Sequence, residues 1–354
     1  MSAAALPAVV LGGTGYVAGE LLRLIAGHPH LRLAAALSEG QPGETVAGAF
    51  PHLGSAYPDT RFSTEAEVRA ALTAVPRAAL FCAAPHGAAA ALLDRLLTCA
   101  EAGGCEVHAV DVSADYRFAA AADYQAVYGR AHGAPARLAE FTCALPEHLP
   151  RPRTRHVAHP GCFATAMLLA AAPLVARELI EPQLFVAGIT GSTGSGRTPA
   201  PATHHPLRHG DLYSYGALAH RHQREVVALL KALTGTEVAL AFVPHSGPYA
   251  RGIHVTLQAR LRRPLTEPAL HEVLADYYRG APFVRVVPQP PRVKDVAGSN
   301  YAHLAGRVGG GSVALLCALD NLNKGAAGGA LQWMNRLLGL PETCGLTAPA
   351  AGWT

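Results

Sequence analysis

Short, mostly apolar runs, interrupted only by Arg32, His108 and Asp111, alternate with stretches of helical spacing through the N-terminal part of the chain. The runs are Ala8–Leu11, Leu31–Leu37, Ala78–Ala83 and Val107–Val112, and the helical stretches are Glu20–Ala26 and Ala88–Cys99. Such runs predict strands buried on both faces, and their alternation with helices predicts an α/β fold on a parallel sheet. Further along, Leu184–Ile189, Val238–Val243, Gly252–Ala259 and Gly311–Leu319 predict a second, mostly antiparallel sheet. Thr266–Tyr278 is amphipathic, with Thr266 as N-cap and Pro268 in the first turn. The apolar run Met167–Val175 predicts a buried helix, and Pro160 and Gly161 break the chain just ahead of it. Leu149–Arg155, rich in Pro and Arg, is the linker candidate. The predicted organisation is a first domain over 1–155, a second over 156–319, and a segment 320–354 whose helix, running through Leu338, returns to the first.

The turn after the first strand changes the picture from architecture to chemistry. Gly12-Gly13-Thr14-Gly15-Tyr16-Val17-Ala18-Gly19 lies between a strand and a helix, the setting that turns a glycine motif into a dinucleotide-phosphate site. The first domain is therefore expected to be a Rossmann dinucleotide-binding domain, with Gly12, Thr14, Gly15, Tyr16 and Val17 as cofactor contacts. The second strand ends at Ser38-Glu39, where such folds meet the adenosine ribose. A hydroxyl suits a 2′-phosphate and an acid suits free ribose hydroxyls, so this pair leaves NADP and NAD open; Arg23 and Arg61 are the cations to consider.

Cys162 falls at or just before a helix N-terminus, where backbone N–H groups and the helix dipole favour a thiolate. His220, His222 and Glu225 open another predicted helix, running to about Leu233. His222 and Glu225 are three apart and share a face, so the carboxylate can orient the imidazole. With Cys162 they form a Cys/His/acid set for nucleophilic catalysis. Strand ends of a parallel sheet open on the ligand crevice, which makes His86, Ser113, Asp115 and Arg117 site candidates. Asp115 and Arg117 read equally as a loop-shaping ion pair. The loop Thr190–Arg197 can cradle a phosphate through backbone N–H groups, hydroxyls and Arg197, with Gly191 and Ser192 as further cofactor contacts. A C-terminal helix returning to the first domain would bring Asn321 near the cofactor.

Composition narrows the classes. The formal charge is +4, only Lys231, Lys294 and Lys324 are lysines, and no basic run occurs, which argues against a nucleic-acid surface. The seven cysteines are scattered, with no CxxC pair and no His/Cys spacing that suits zinc, so no metal is expected. The odd count and the absence of a leader-like N-terminus point to free thiols in a reducing cytoplasm. No apolar run reaches transmembrane length.

Taken together, the segments Gly12–Leu22, Asp111–Phe118, Leu145–Glu147, His159–Ala166, Gly191–Arg197, His220–Glu225, Arg251–Ile253 and Asp320–Ala330 resemble the N-acetyl-γ-glutamyl-phosphate reductase family of arginine biosynthesis, related to aspartate-semialdehyde dehydrogenase. Ala18 stands where the family's turn usually ends in glycine. The resemblance implies an α+β catalytic and dimerisation domain after the Rossmann domain. It implies Cys162 as nucleophile toward an acyl phosphate, NADP(H) as cofactor, and His222 or else His220 as acid/base oriented by Glu225. It further implies Arg117 and Arg197 as grips on the substrate's anionic groups, with Ser113 beside them, and a homodimer or homotetramer. The nearest alternative is a reductase acting on carrier-linked aminoadipyl phosphate, toward which Phe163 beside Cys162 does not lean. The remoter one is a non-catalytic NADP-binding sensor, which needs neither nucleophile nor base.

Overall fold

In the computed structural model, which describes residues 5–352, the apolar runs of the N-terminal part form four adjacent strands of a six-stranded parallel sheet. Its strands are β1 Leu6–Leu11, β2 Leu31–Leu37, β3 Arg77–Cys82, β4 Glu106–Asp111, β5 Phe141–Cys143 and β6 His156–Ala158, in the order β2-β1-β3-β4-β6-β5. Val9 to Leu11, Ala78 to Cys82 and Ala109 to Asp111 are buried, as strands covered on both faces must be. Helices α1 Tyr16–Ala26, α2 Val46–Ala49, α3 Glu65–Thr73, α4 Ala89–Ala102 and α5 Ala121–Tyr128 belong to the same unit. The stretch Leu149–Arg155 connects β5 and β6, which pair in parallel. It is a connection within the first unit, and the chain passes to the second unit after His159.

The first unit depends on close backbone approach at the end of β1. Gly12 has φ +85°, and a Cβ there would stand 2.4 Å from the Ala83 carbonyl oxygen. Gly13 donates to Leu37 O at 2.7 Å, and its Cβ would meet the Phe62 ring at 2.7 Å. These two glycines let β1 turn between β2 and β3.

The second unit spans Pro160–Gly325 and residues 348–352 of the described chain. Its elements are α6 Cys162–Ala176, β7 Gln183–Thr190, α7 His205–Arg208, β8 Tyr213–Ser214, α8 Arg221–Thr234, β9 Ala239–Ser246, β10 Ile253–Arg260, α9 Glu267–Tyr277, β11 Val284–Val286, β12 Ala302–Gly309 and β13 Ser312–Leu319. The strands order as β11-β12-β13-β10-β7-β9-β8; β11/β12 and β7/β9 are parallel and the other pairings antiparallel. Side chains alternate along β7 and β10, so one face is buried and the other open. Helix α6 is buried all round from Phe163 to Val175 and packs on the sheet and on α8 and α9, as an all-apolar helix must.

After β13 the chain makes a π turn over Asn323–Ala327 and then forms α10, Gly328–Leu337. The regular helix thus starts eight residues past Asp320 rather than at it, because Asp320 to Ala327 is wound more widely. Residues Ala326–Thr347 belong to the first unit, where the Trp333 indole N–H donates to Ala144 O at 2.9 Å.

Gly12→Ala is expected to combine left-handed strain of about 1–2 kcal/mol with overpacking of about 1–3 kcal/mol. A urea unfolding midpoint for the first unit equal to wild type would contradict the close approach.

Candidate active site

The glycine turn presents its donors at the start of α1. Gly15 is the N-cap with φ −75° and ψ 159°, a conformation open to any residue, and a Cβ there would touch only Gly12 O at 3.5 Å. Neither backbone strain nor internal crowding requires glycine at 15; the bare Cα leaves the helix start open to a phosphate. Thr14, Tyr16 and Val17 are half-buried around it, while Ala18 is fully buried and fits its slot. The turn therefore fits a dinucleotide. At the end of β2, Ser38 is buried and its Oγ accepts from Gln41 N at 3.2 Å, whereas Glu39 is exposed. Arg23 pairs with Glu20 at 2.9 Å, and Arg61 donates to Gly43 O at 2.7 Å.

The loop after β4 is built from its own polar groups. Ser113 donates to Asp111 Oδ2 at 2.8 Å and its Oγ accepts from Asp115 N at 3.1 Å. Burial, then the neighbouring Asp115, raise the Asp111 carboxyl to about 6. Asp115 accepts from Gly87 N, Ala90 N and the Tyr124 hydroxyl, at 2.8, 3.0 and 3.0 Å. These bonds make it an anchor for the start of α4. Arg117 is buried and donates from Nη2 to Val112 O at 3.0 Å, and Ala114 N donates to His86 Nδ1 at 3.0 Å. Ser113 and Arg117 thus both bond within this loop.

In the second unit, Cys162 is the first residue of α6 and Gly161 is its N-cap. Gly161 N–H donates to Glu225 Oε1 at 2.6 Å, and Glu225 is fully buried. Glu225 therefore grips the turn that carries Cys162, a role beyond the expected orientation of an imidazole. His222 is 6% exposed, so this imidazole sits inside the protein beside the α6 start. The Phe163 ring lies 6.1 Å from that of His220 and 6.4 Å from that of His222, and the two imidazoles are 4.7 Å apart.

The two histidines differ in their bonding. His220 is the N-cap of α8: its Nδ1 accepts from His222 N at 3.2 Å, so the neutral ring carries its proton on Nε2. Burial, then Arg221, lower its pKa to about 4, which keeps the cap neutral. Sequence reasoning missed Tyr215. Its ring lies 5.7 Å from His220, and burial, then the charge of Cys162, push its hydroxyl pKa up. The signal available was Tyr215 a few residues ahead of the histidine pair in a polar stretch.

The loop after β7 spends five of its N–H groups on backbone carbonyls. Gly191, Ser192 and Thr193 donate their N–H groups to Gly252 O, Tyr249 O and Ala250 O, each at 2.9 Å. Gly194 and Gly196 donate to Gly191 O and Thr193 O, both at 3.1 Å. A Cβ on Gly191 would stand 2.4 Å from Ala250 O, so this glycine serves loop against loop. With their N–H groups engaged, Gly191 has no donor left and Ser192 keeps its hydroxyl, while Arg197 has its guanidinium as a group for an anion. Asn321 is a strut: Oδ1 accepts from Gly252 N at 2.7 Å and Nδ2 donates to Thr193 Oγ1 at 3.0 Å. Its amide thus ties two loops of the second unit together. Among the described residues no group of three or more His, Cys, Asp or Glu could hold a metal ion.

Residues 7–150 match the model of the semialdehyde dehydrogenase NAD binding domain, and residues 162–321 that of the semialdehyde dehydrogenase dimerisation domain. The fold is similar to aspartate semialdehyde dehydrogenase II of Vibrio cholerae, with TM-score 0.68 and 16% identity over 95% of this chain and 99% of that one. It is also similar to the Candida albicans aspartate semialdehyde dehydrogenase solved with NADP, with TM-score 0.67 and 14% identity over the same shares. Fold and site together define a semialdehyde-dehydrogenase-class protein. Among relatives named N-acetyl-gamma-glutamyl-phosphate reductase, that of Methanopyrus kandleri is 39% identical over 96% of this chain and 97% of its own length. That of Acidithiobacillus ferrooxidans is 37% identical over 95% and 96%. The chain belongs to the N-acetyl-gamma-glutamyl-phosphate reductase family.

Glu225→Ala leaves the Gly161 N–H buried and unbonded, at about 1–3 kcal/mol. Glu225→Gln keeps a carbonyl acceptor and is expected to keep most of that stability. Thermal unfolding of both variants checks the order, and equal losses would show that the bond to Gly161 is not what Glu225 supplies.

Proposed function

We propose that this chain reduces N-acetyl-γ-glutamyl phosphate to N-acetylglutamate semialdehyde and phosphate with NADPH, in arginine biosynthesis. What supports the reading most is the gathering of a nucleophile, two imidazoles and a gripping carboxylate at one end of α6, in a chain of this family. The first unit holds NADP(H) through Gly12, Thr14, Gly15, Tyr16 and Val17, with Ser38 near the adenosine ribose. When bound, the reduced nicotinamide supplies a hydride.

Cys162 gives its proton to His222 and attacks the acyl carbon as thiolate. Backbone N–H groups of the first α6 turn stabilise the oxyanion, each donor contributing about 3 kcal/mol. The acyl–phosphate bond breaks, His222 returns its proton to the departing phosphate, and a Cys162 thioester remains. The thioester carbon then accepts the hydride, and the tetrahedral alkoxide collapses to aldehyde and Cys162 thiolate. The balance is one acyl phosphate, one hydride and one solvent proton consumed. His222 carries the proton because the Nδ1 lone pair of His220 is committed to capping α8. Glu225 fixes the nucleophile's turn. Arg197 and Ser192, side chains of the loop after β7, are the groups offered to anionic parts of the substrate. The seven free cysteines suit a reducing cytoplasm.

The open face of the second sheet is proposed as the dimer surface of a homodimer or homotetramer. Phe185 is 55% exposed there, with Ala187, Ile189 and Val243 on the same side, while α6, α8 and α9 cover the other. An exposed apolar sheet face of this kind marks an interface.

Cys162→Ser and Cys162→Ala should abolish phosphate-dependent oxidation of the semialdehyde while NADPH binding persists; wild-type turnover in Cys162→Ala overturns the covalent route. His222→Asn should lose about 10²–10⁴-fold in kcat, and His220→Asn, which keeps a capping acceptor, far less. A larger loss in His220→Asn would exchange the roles, and binding of NADPH without turnover on either acyl phosphate would leave the sensor. Faster turnover of aminoadipyl phosphate than of N-acetyl-γ-glutamyl phosphate would reassign the substrate.

Phe185→Glu should shift the assembly toward monomer in light scattering after size-exclusion chromatography. An unchanged mass would move the interface off this face.

A further inference from the structure

The π turn that closes the second unit brings a bare Cα against the nucleophile. A Cβ on Gly325 would stand 2.8 Å from Cys162 Cβ and 3.1 Å from Cys162 Cα. Real Cβ atoms do not come that close, so one of the two residues has to lack a side chain. Gly325 does not have positive φ, so its backbone imposes no glycine of its own. The requirement comes from Cys162.

The turn that delivers Gly325 is held at its root. Gly325 N–H donates to Asp320 O at 2.9 Å, spanning five residues in place of the α-helical four. Asp320 is fully buried, and its carboxylate accepts from Arg251, from Gly298 N at 2.6 Å, and from Leu322 N and Asn323 N at 2.9 and 2.8 Å. The same stretch of chain seats a second residue of the 159–162 segment. The His159 ring, in the first unit, lies where a Cβ on Gly329 would be, 2.2 Å from its Cε1.

We propose that Gly325 is a positioning residue for the thiol. It sets the depth of Cys162 at the start of α6, opposite the grip of Glu225 on Gly161. The widened turn exists because an α-helical path would present a different residue at this point. The inference rests on the reading of Cys162 as nucleophile. A methyl group at 325 displaces Cys162 rather than the braced turn, and a misplacement approaching 1 Å at a reacting centre lowers the rate by about 10²-fold.

The test is Gly325→Ala in the full-length enzyme. The expected result is a kcat lower by about 10²-fold with little change in KM or in NADPH affinity. The pH profile of Cys162 alkylation by iodoacetamide should also shift, because the sulfur leaves its place at the helix start; a purely structural role would not move it. Wild-type kcat and an unchanged alkylation profile would overturn the proposal. Should the variant fold poorly, Cys162→Gly and Cys162→Gly/Gly325→Ala are compared by thermal unfolding. With the opposing Cβ removed, the added methyl should cause little loss, and a loss as large as in the Cys162 background overturns the steric argument. Wild-type turnover in Cys162→Ala would instead sink the nucleophile reading and leave this coupling intact.

Discussion

The hydrogen bond from Gly161 N–H to the Glu225 carboxylate is the constraint from which the second unit's chemistry follows. Helix α6 is apolar on every side and is the core of that unit, so little except its first turn can carry polar function. A fully buried carboxylate there is tolerable only with strong donors to its oxygens, and the amide that opens α6 is one. The bond fixes α8 to the α6 start. The residues one turn earlier on α8 therefore arrive beside the Phe163 ring at the α6 start as a consequence of how the helix is pinned.

Glycine does different work at three close approaches. At 12 it permits a left-handed turn tight against β3, and at 191 it lets one loop lie on another. At 15 nothing inside the protein requires it, which leaves the outside: a site where a ligand comes near. The same comparison separates the two glycine-rich loops. The turn before α1 spends the Gly13 and Gly15 N–H groups on Leu37 O and Gly12 O but runs straight into a helix start, whereas the loop after β7 spends its donors on residues 249–252 and on itself. Both look alike as strings of Gly, Ser and Thr.

That contrast marks what could be read from the chain alone. The strands β1 to β4 and the helix α8 were legible because a mostly apolar run or a helical period states its burial directly. Helix α3 has a weak apolar period, and its clearer signal is the capping box of Thr64 and Glu67. Strand β12 carries Gly306, which its own propensity disfavours and which the Leu270 side chain requires. The set Cys162, His220, His222 and Glu225 was legible as residue types. Which partner each would choose was not, because Glu225 bonds an amide 64 positions away and Asn321 an amide 69 away. Sequence spacing reports neighbours on one helix face and is silent on such long-range choices.

The adjacency of His220 and His222 is resolved by the same reasoning. A helix cap needs an acceptor, so His220 has to keep the Nδ1 lone pair and stay neutral. Burial does this by holding its pKa near 4, below the unfolded value of 6.5. The sign follows: the capped form contributes its stability above pH 6.5 and loses it as the pH falls toward 4. Over the neutral range His220 is thus a fixed dipole with its Nε2 proton in place. The neighbouring residue takes part in the cap through its backbone N–H rather than its ring, so the two imidazoles, adjacent in sequence, differ in what holds them.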